Sequence, residues 1–309
     1  MKPLLLPDVA AALTQDNPFS AHSFKELSRA CHPDLHPGDT KAEALFKELS
    51  RRHTMHEAPA SILSPKKRKY VLTSLLAVGD VADVHAAESD GKQYVVKVSR
   101  VPSGTQMLEI ERQAISAILT TAGDTSYAKY FPLLAESFLV GSRRVNAFAF
   151  EDGFVPVEQL PKDLDGRHVA WIFKRLLTAI GFVHKCGWCH GAVLPSHALI
   201  HPVSHGLKLV GLGQAVKLGE RATGYSKRFA DLYAPEVLAK KPACAATDIY
   251  MAARCFGRFS PPKPIAAFMN SCLLPSPGMR PDDAWKLLSE FDEVLRGVYG
   301  APKYVKLKL

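Results

Sequence analysis

The chain has no run of about 18 consecutive apolar residues, the length a helix needs to cross a bilayer, so no membrane span is expected. Its nearest approach to a leader, MKPLLLPDVAAALTQ, is interrupted by Pro7 and Asp8 before the apolar run reaches the usual length. A cytoplasmic protein is the expectation. Cysteine is scarce: six in 309 residues do not make a disulfide framework. Acidic residues are outnumbered by basic ones, 30 against 39, which leaves a net charge of +9 and a pI near 9.2. That excess suits acidic partners and keeps nucleic acid among the candidates. The basic residues are spread over the whole chain, however, and most read as solvated surface. With 47% hydrophobic residues and mean hydropathy near zero, the composition is that of packed globular material. The length holds one full-sized domain and a small one.

The densest cysteine pattern is Cys186-Gly187-Trp188-Cys189-His190, which fits C-x-x-C-H. Haem attachment through it would need export, and the leader is missing; the C-x-x-C alone could be a redox pair. A zinc site could combine Cys186 and Cys189 with one of His197, His201 or His205, although Pro202 keeps these histidines off a single helical face.

From the N-terminus, Phe24, Leu27 and Ala30 or Cys31 form a helical stripe that His32-Pro33 ends, because the residue before proline avoids the helical region. A polar loop with Pro37-Gly38 follows. A second helix from about Lys41 carries Ala42, Leu45, Phe46 and Leu49 on one face. The stretch 24–52, with His32-Pro33-Asp34 at the tip of a hairpin, resembles the J domain of the DnaJ family. For the family's preceding helix only Val9–Leu13 is a candidate, and Asn17–Ser23 is unusual. The resemblance implies that the tripeptide contacts a heat-shock ATPase chaperone and triggers its hydrolysis. The alternative is a helical hairpin that caps the next domain. Residues 54–69, with Pro59, Pro65 and Lys66-Lys67-Arg68-Lys69, read as a solvated tether; the basic run could also be a nuclear address or an anion patch.

Downstream, LLAVGDVADVHAA (75–87) has the form of two strands around a turn, and Asp90-Gly91 is a hairpin signal before Tyr94-Val95-Val96-Lys97-Val98. An amphipathic helix follows with Met107, Ile110, Ala114 and Ile118 inward. Phe148–Gly153 reads as a connection, and Val169, Ile172, Phe173, Leu176, Leu177, Ile180 and Val183 mark a long helix of period 3.6. Then come CHGAVLPSHALIHPVSHGLKLVGLGQA (189–215), Tyr233-Ala234-Pro235-Glu236, Thr247-Asp248 and Arg280-Pro281.

In order and spacing this series resembles a protein kinase. The resemblance implies an α+β, two-lobed kinase-like domain behind a small all-α hairpin. The expected divisions are 1–53 J-like, 54–69 linker, 70–155 first lobe, 156–297 second lobe and 298–309 basic tail. It implies a nucleotide cleft with Gly79 in the phosphate loop and Lys97 paired with Glu111, or with Glu109 as runner-up. Ala77 and Ala82 stand for the loop's outer glycines, which hinders close backbone approach to phosphate. It also implies structural roles for His190, for Asp248 as brace of the catalytic loop, and for Arg280 as the partner of Glu236.

The same overlay puts Ala192 where the catalytic Asp belongs, His197 on the metal-binding Asn and Gly211 on the Asp of D-F-G. Losing a general base costs about 10²–10⁴-fold in rate, and phosphoryl transfer depends on metal and positioning for the rest. The sequence therefore reads as a pseudokinase with no catalytic residues and no resident metal. Its candidate cofactor is ATP bound without normal magnesium coordination. The expected role is a non-catalytic scaffold that brings a heat-shock ATPase to an unknown client. An atypical Ser/Thr kinase-like phosphotransferase using Lys97 and Glu111 is the alternative, and a polyanion-binding scaffold is the third reading.

Overall fold

The computed structural model describes residues 4–15, 22–57, 62–63 and 68–307. Residues 17–21 of the unusual segment and 58–61 and 64–67 of the tether therefore lie outside the described residues. The chain divides into two units, Met1–Leu75 and Leu76–Leu309. Among the described residues no helix is long and apolar enough to cross a membrane.

The first unit is built from three helices. Pro7 and Asp8, which break the N-terminal apolar run, start α1 (Leu6–Leu13): proline is tolerated in the first turn, and the Asp8 carboxylate accepts from the Leu5 N–H at 2.7 Å. Helix α2 (Phe24–Ala30) opens with a reciprocal cap. Ser23 Oγ accepts from the Glu26 N–H at 3.3 Å, and Glu26 accepts from the Ser23 N–H at 2.9 Å. After a short 3₁₀ turn, Pro33–Leu35, Gly38 takes φ +78°, and the Asp39 carboxylate caps α3 (Thr40–Glu57) by accepting from Lys41 and Ala42. Val9 and Ala12 of α1 pack with Leu27, Cys31 and Leu49 in one small core. The hairpin expected from the sequence thus has a third helix closing its apolar side. Strand β1 (Ile62–Leu63) pairs antiparallel with the start of β2 (Tyr70–Val78), which runs on into the second unit.

The second unit begins with a sheet lobe. Strands β3 (Ala82–Ser89) and β4 (Lys92–Ser99) form a hairpin whose two turn residues, Asp90 and Gly91, both have positive φ, as a primed turn requires. Helix α4 (Pro102–Ala122) follows, then β5 (Leu134–Val140) and β6 (Arg143–Ala149). Strand β6 pairs with both β4 and β5. The buried face of α4 is Leu108, Glu111, Ala114, Ile115 and Ile118; Met107 and Ile110 are only partly buried. The inward stripe therefore lies one position further on than the sequence suggests in the first half of the helix, while Ala114 and Ile118 are buried as expected.

The helical lobe follows β7 (Val155–Pro156). Helix α5 (Gly166–Lys185), capped by Asp165, buries the whole expected stripe from Val169 to Val183 in the main core. Beyond it lie β8 (Trp188–Cys189), the hairpin β9 (Ala198–His201) with β10 (Gly206–Leu209), and β11 (Val216–Lys217) paired with β8. Helices α6 (Pro235–Leu238), α7 (Ala245–Phe256), α8 (Lys263–Ser271) and α9 (Ala284–Tyr299) complete the lobe. The expected α+β arrangement, a sheet lobe followed by a helical lobe, is the one the chain adopts.

Candidate functional site

Strand β4 projects Lys97 toward α4, where its ammonium lies 2.5 Å from Glu111 Oε1. Glu111 is only 3% exposed, so its charge needs partners. The second comes from β6, directly opposite Lys97: Asn146 donates to Glu111 Oε2 at 3.1 Å and to the Leu108 carbonyl at 2.8 Å. Glu109 instead binds Arg112 and Arg144, which hold its carboxyl down to about 2. Asn146 is a site residue that sequence reasoning missed; a polar residue within the apolar run Val145–Ala149 is its signal.

A cleft of about 280 Å³ lies beside this pair, lined among others by Gly79, Lys97, Glu111, Ser196, His197 and Gly211. Its upper edge is the turn 79–82. There the Gly79 N–H is spent on the Ala82 carbonyl at 2.9 Å, Arg100 donates to the Gly79 carbonyl, and the Val81 carbonyl accepts from the Arg100 N–H. A turn whose amide is already paired has less to offer a phosphate.

The floor includes His197 and Gly211. Ala192, which the kinase overlay sets at the base position, is 0% exposed, an apolar methyl in the core. Gly211 takes φ +82°, and a Cβ added there would stand 2.6–2.7 Å from the His197 ring. The imidazole thus fills the space a side chain at 211 would need. His197 Nδ1–H donates to the Ala192 carbonyl at 2.8 Å. Burial, then the charges of His190 and Lys97, push its pKa down to about 3, so it is a neutral ring.

Behind the floor, Asp248 is fully buried and gathers three donors: the Gly191 N–H at 2.9 Å, the His190 N–H at 2.7 Å and the His184 ring at 2.9 Å. Burial raises its pKa, but these bonds outweigh that and hold the carboxyl below its ordinary value. His190 accepts from the Ala192 N–H and donates through Nε2 to the Val210 carbonyl. Arg280 forks onto Glu236 at 2.8 and 3.0 Å and stacks over Tyr250. These four residues hold the loop and its surroundings; none of them lines the cleft.

The cysteine pair and the histidines do not converge. Cys189 donates to the Cys244 carbonyl, burial raises both Cys186 and Cys189, His201 faces Phe154, and His205 stacks on Trp171. Among the described residues no group of three His, Cys, Asp or Glu is placed to hold a metal.

In the first unit, the His32-Pro33-Asp34 tip is turned outward. Asp34 is 89% exposed, while His32 accepts from the Asp34 N–H at 3.2 Å and sets its ring edge-on to Phe46 at 4.9 Å. The carboxylate is thus presented to solvent on a backbone fixed from beneath.

Among solved structures, the BubR1 kinase domain matches with a TM-score of 0.60 at 14% identity, over 77% of this chain and 84% of that one. The structure of vaccinia related kinase 3 matches with a TM-score of 0.61 at 12% identity, over 82% and 95%. The fold is that of a protein kinase. No protein-family profile matches the chain. Among curated proteins, Chaperone protein DnaJ of Synechococcus elongatus is 46% identical over 37 residues, and Chaperone protein DnaJ 2 of Nocardia farcinica is 37% identical over 71. These stretches are 12% and 23% of this chain. Citron rho-interacting kinase of Rattus norvegicus is 24% identical over 188 residues, 57% of the chain. The chain spans only 13%, 17% and 9% of the lengths of these three proteins. With the DnaJ similarities, the helices ahead of the kinase fold form a J-like module.

Proposed function

We propose that the kinase-fold domain is a pseudokinase and that the chain acts as a cytoplasmic, non-catalytic scaffold, recruiting a heat-shock ATPase to a client through its J-like module. The division proposed is 1–53 for that module, 54–69 for the tether, 70–155 and 156–297 for the lobes and 298–309 for the tail. The reading is carried by the packing of His197 into the space beside Gly211. A metal clamp requires oxygen ligands there, and a neutral ring against a bare glycine supplies none. Ala192 removes the base in the same loop, while the outward Asp34 keeps the one acidic group the J-like tip needs. The expected outcome is that the full chain stimulates a heat-shock ATPase and that Asp34→Asn abolishes the stimulation; unchanged turnover with Asp34→Asn overturns the proposal.

One observation favours a second reading. The Lys97–Glu111 pair survives, and in a working kinase it organises the phosphates. An atypical phosphotransferase would use it with a base from elsewhere in the cleft. Nucleotide-dependent labelling of the chain or of a substrate, lost in Lys97→Ala, supports that reading; labelling that persists in Lys97→Ala removes it.

A further inference from the structure

Away from the nucleotide cleft, the helical lobe holds a cavity of about 440 Å³ that neither reading uses. Three elements meet there. The 3₁₀ turn Ser126–Tyr130 brings Ser126, Lys129 and Tyr130, helix α5 brings Arg175, and the β9–β10 turn brings Ser204 and His205. No carboxylate is among the lining residues. Lys129 has no acidic partner among the described residues. Arg175 spends one guanidinium nitrogen on the Tyr130 hydroxyl at 2.9 Å, which fixes the group while leaving its other donors.

His205 is the unusual member. It is a non-glycine residue at φ +51°, and its ring is clamped between Trp171 (4.3 Å, interplanar 4°) and Tyr304 (4.6 Å, 27°). Its Nε2 is buried with no hydrogen-bond partner among the described residues. A strained backbone and an orphaned buried polar atom at one residue both point toward a ligand. Burial, then the charges of His168 and Arg175, hold the ring below its ordinary pKa, and the Val305 carbonyl opposes them. An anion in the cavity would act in the same direction as that carbonyl.

We propose that this cavity binds a phosphomonoester dianion, with Lys129 and Arg175 supplying the charge and His205, Ser126 and Ser204 the hydrogen bonds. Donors converging from three elements suit the three oxygens of a tetrahedral group better than the two of a carboxylate. The cavity also exceeds the size of a bare phosphate and leaves room for a small organic body. The site stands apart from the cleft and does not depend on whether the kinase fold is active.

The test is titration of the full chain with inorganic phosphate and with glycerol 3-phosphate, followed through backbone amide shifts. Both probes are expected to move amides in 126–130 and 203–207 at millimolar concentration. Since the loss of about 1.4 kcal/mol is tenfold in affinity, Lys129→Ala with Arg175→Ala should weaken binding by about tenfold or more. Both positions are exposed, so the fold should tolerate the change. His205→Phe, which keeps the aromatic stack, should weaken binding without lowering the melting temperature. Tighter binding of the ester assigns the site to organic phosphates, and equal binding assigns it to free phosphate. Absence of shifts with either probe, shifts confined to 77–82 in the cleft, or unchanged affinity in the double variant overturns the proposal.

Discussion

His197 and Gly211 are fourteen positions apart in sequence and in contact in the fold. In the proposed reading each stands where a kinase would hold metal, and each makes the other tolerable. The glycine leaves room for the ring, and the ring fills what would otherwise be a void beneath the cleft. The arrangement has a consequence in pH. His197 is held to about 3 in the folded chain against about 6.5 when unfolded. In that window the unfolded state binds the extra proton, so stability rises with pH. The contribution is fully present above the unfolded value and is lost progressively as pH falls toward the folded one. His190, whose pKa burial also lowers, adds to the slope with the same sign. Urea midpoints are expected to fall between pH 7 and pH 5, and His197→Asn should flatten part of that fall. A slope unchanged in the variant would mean that the ring is solvated and not packed against Gly211.

At the scale of elements, the decisive contact joins β4, β6 and α4 through Lys97, Asn146 and Glu111. Removing one partner of a buried ion pair costs about 3–5 kcal/mol, because the other charge is stranded. Lys97 keeps 18% exposure, which places the expectation for Lys97→Met at or below the low end of that range. The double variant Lys97→Met/Glu111→Leu should recover most of the loss, and a double-mutant cycle by denaturant unfolding measures the coupling. Additive effects would mean that the pair contributes nothing as a pair. The result also bears on any labelling experiment with Lys97→Ala, since lost activity counts only if the variant remains folded. The pair was legible through the kinase resemblance, which sets Lys97 of the strand Tyr94–Val98 against a glutamate of the next helix, whereas the long stripe of α5 was legible from its apolar period alone. Asn146 was not, because one polar residue in a strand reads as solvent-facing until the opposing strand is known. The packing of His197 on Gly211 was equally hidden: spacing along the chain shows which side chains are missing, but not what fills their place. Helix α1 was legible only as the stretch Val9–Leu13, because the Pro7 and Asp8 that start it break the hydropathy pattern of its first turn.

For the molecule as a whole, the question is whether the cleft still takes nucleotide. A ligand that binds only the folded state stabilises it by RT ln(1 + [L]/Kd), about 2.7 kcal/mol at a hundredfold excess over Kd. For a unit of the size of Leu76–Leu309, at about 2–4 °C per kcal/mol, that corresponds to roughly 5–11 °C in the melting temperature, well within measurement. Two features set the sign of the expectation. Lys97 and Arg228 bring positive charge to the cleft, but each is already paired with a lining carboxylate, Glu111 and Glu158; the turn 79–82 and the pair His197–Gly211 further withdraw the amide and the metal ligands that make polyphosphate binding tight. Binding through lysine alone needs no divalent ion. Millimolar ATP is therefore expected to give a small rise or none, equal in magnesium and in chelator, and Lys97→Met should remove whatever rise there is. A rise that appears only with magnesium would require oxygen ligands elsewhere in the cleft, with Asp80, Glu158 and Ser196 candidates among its lining residues, and it would return the domain to the phosphotransferase reading.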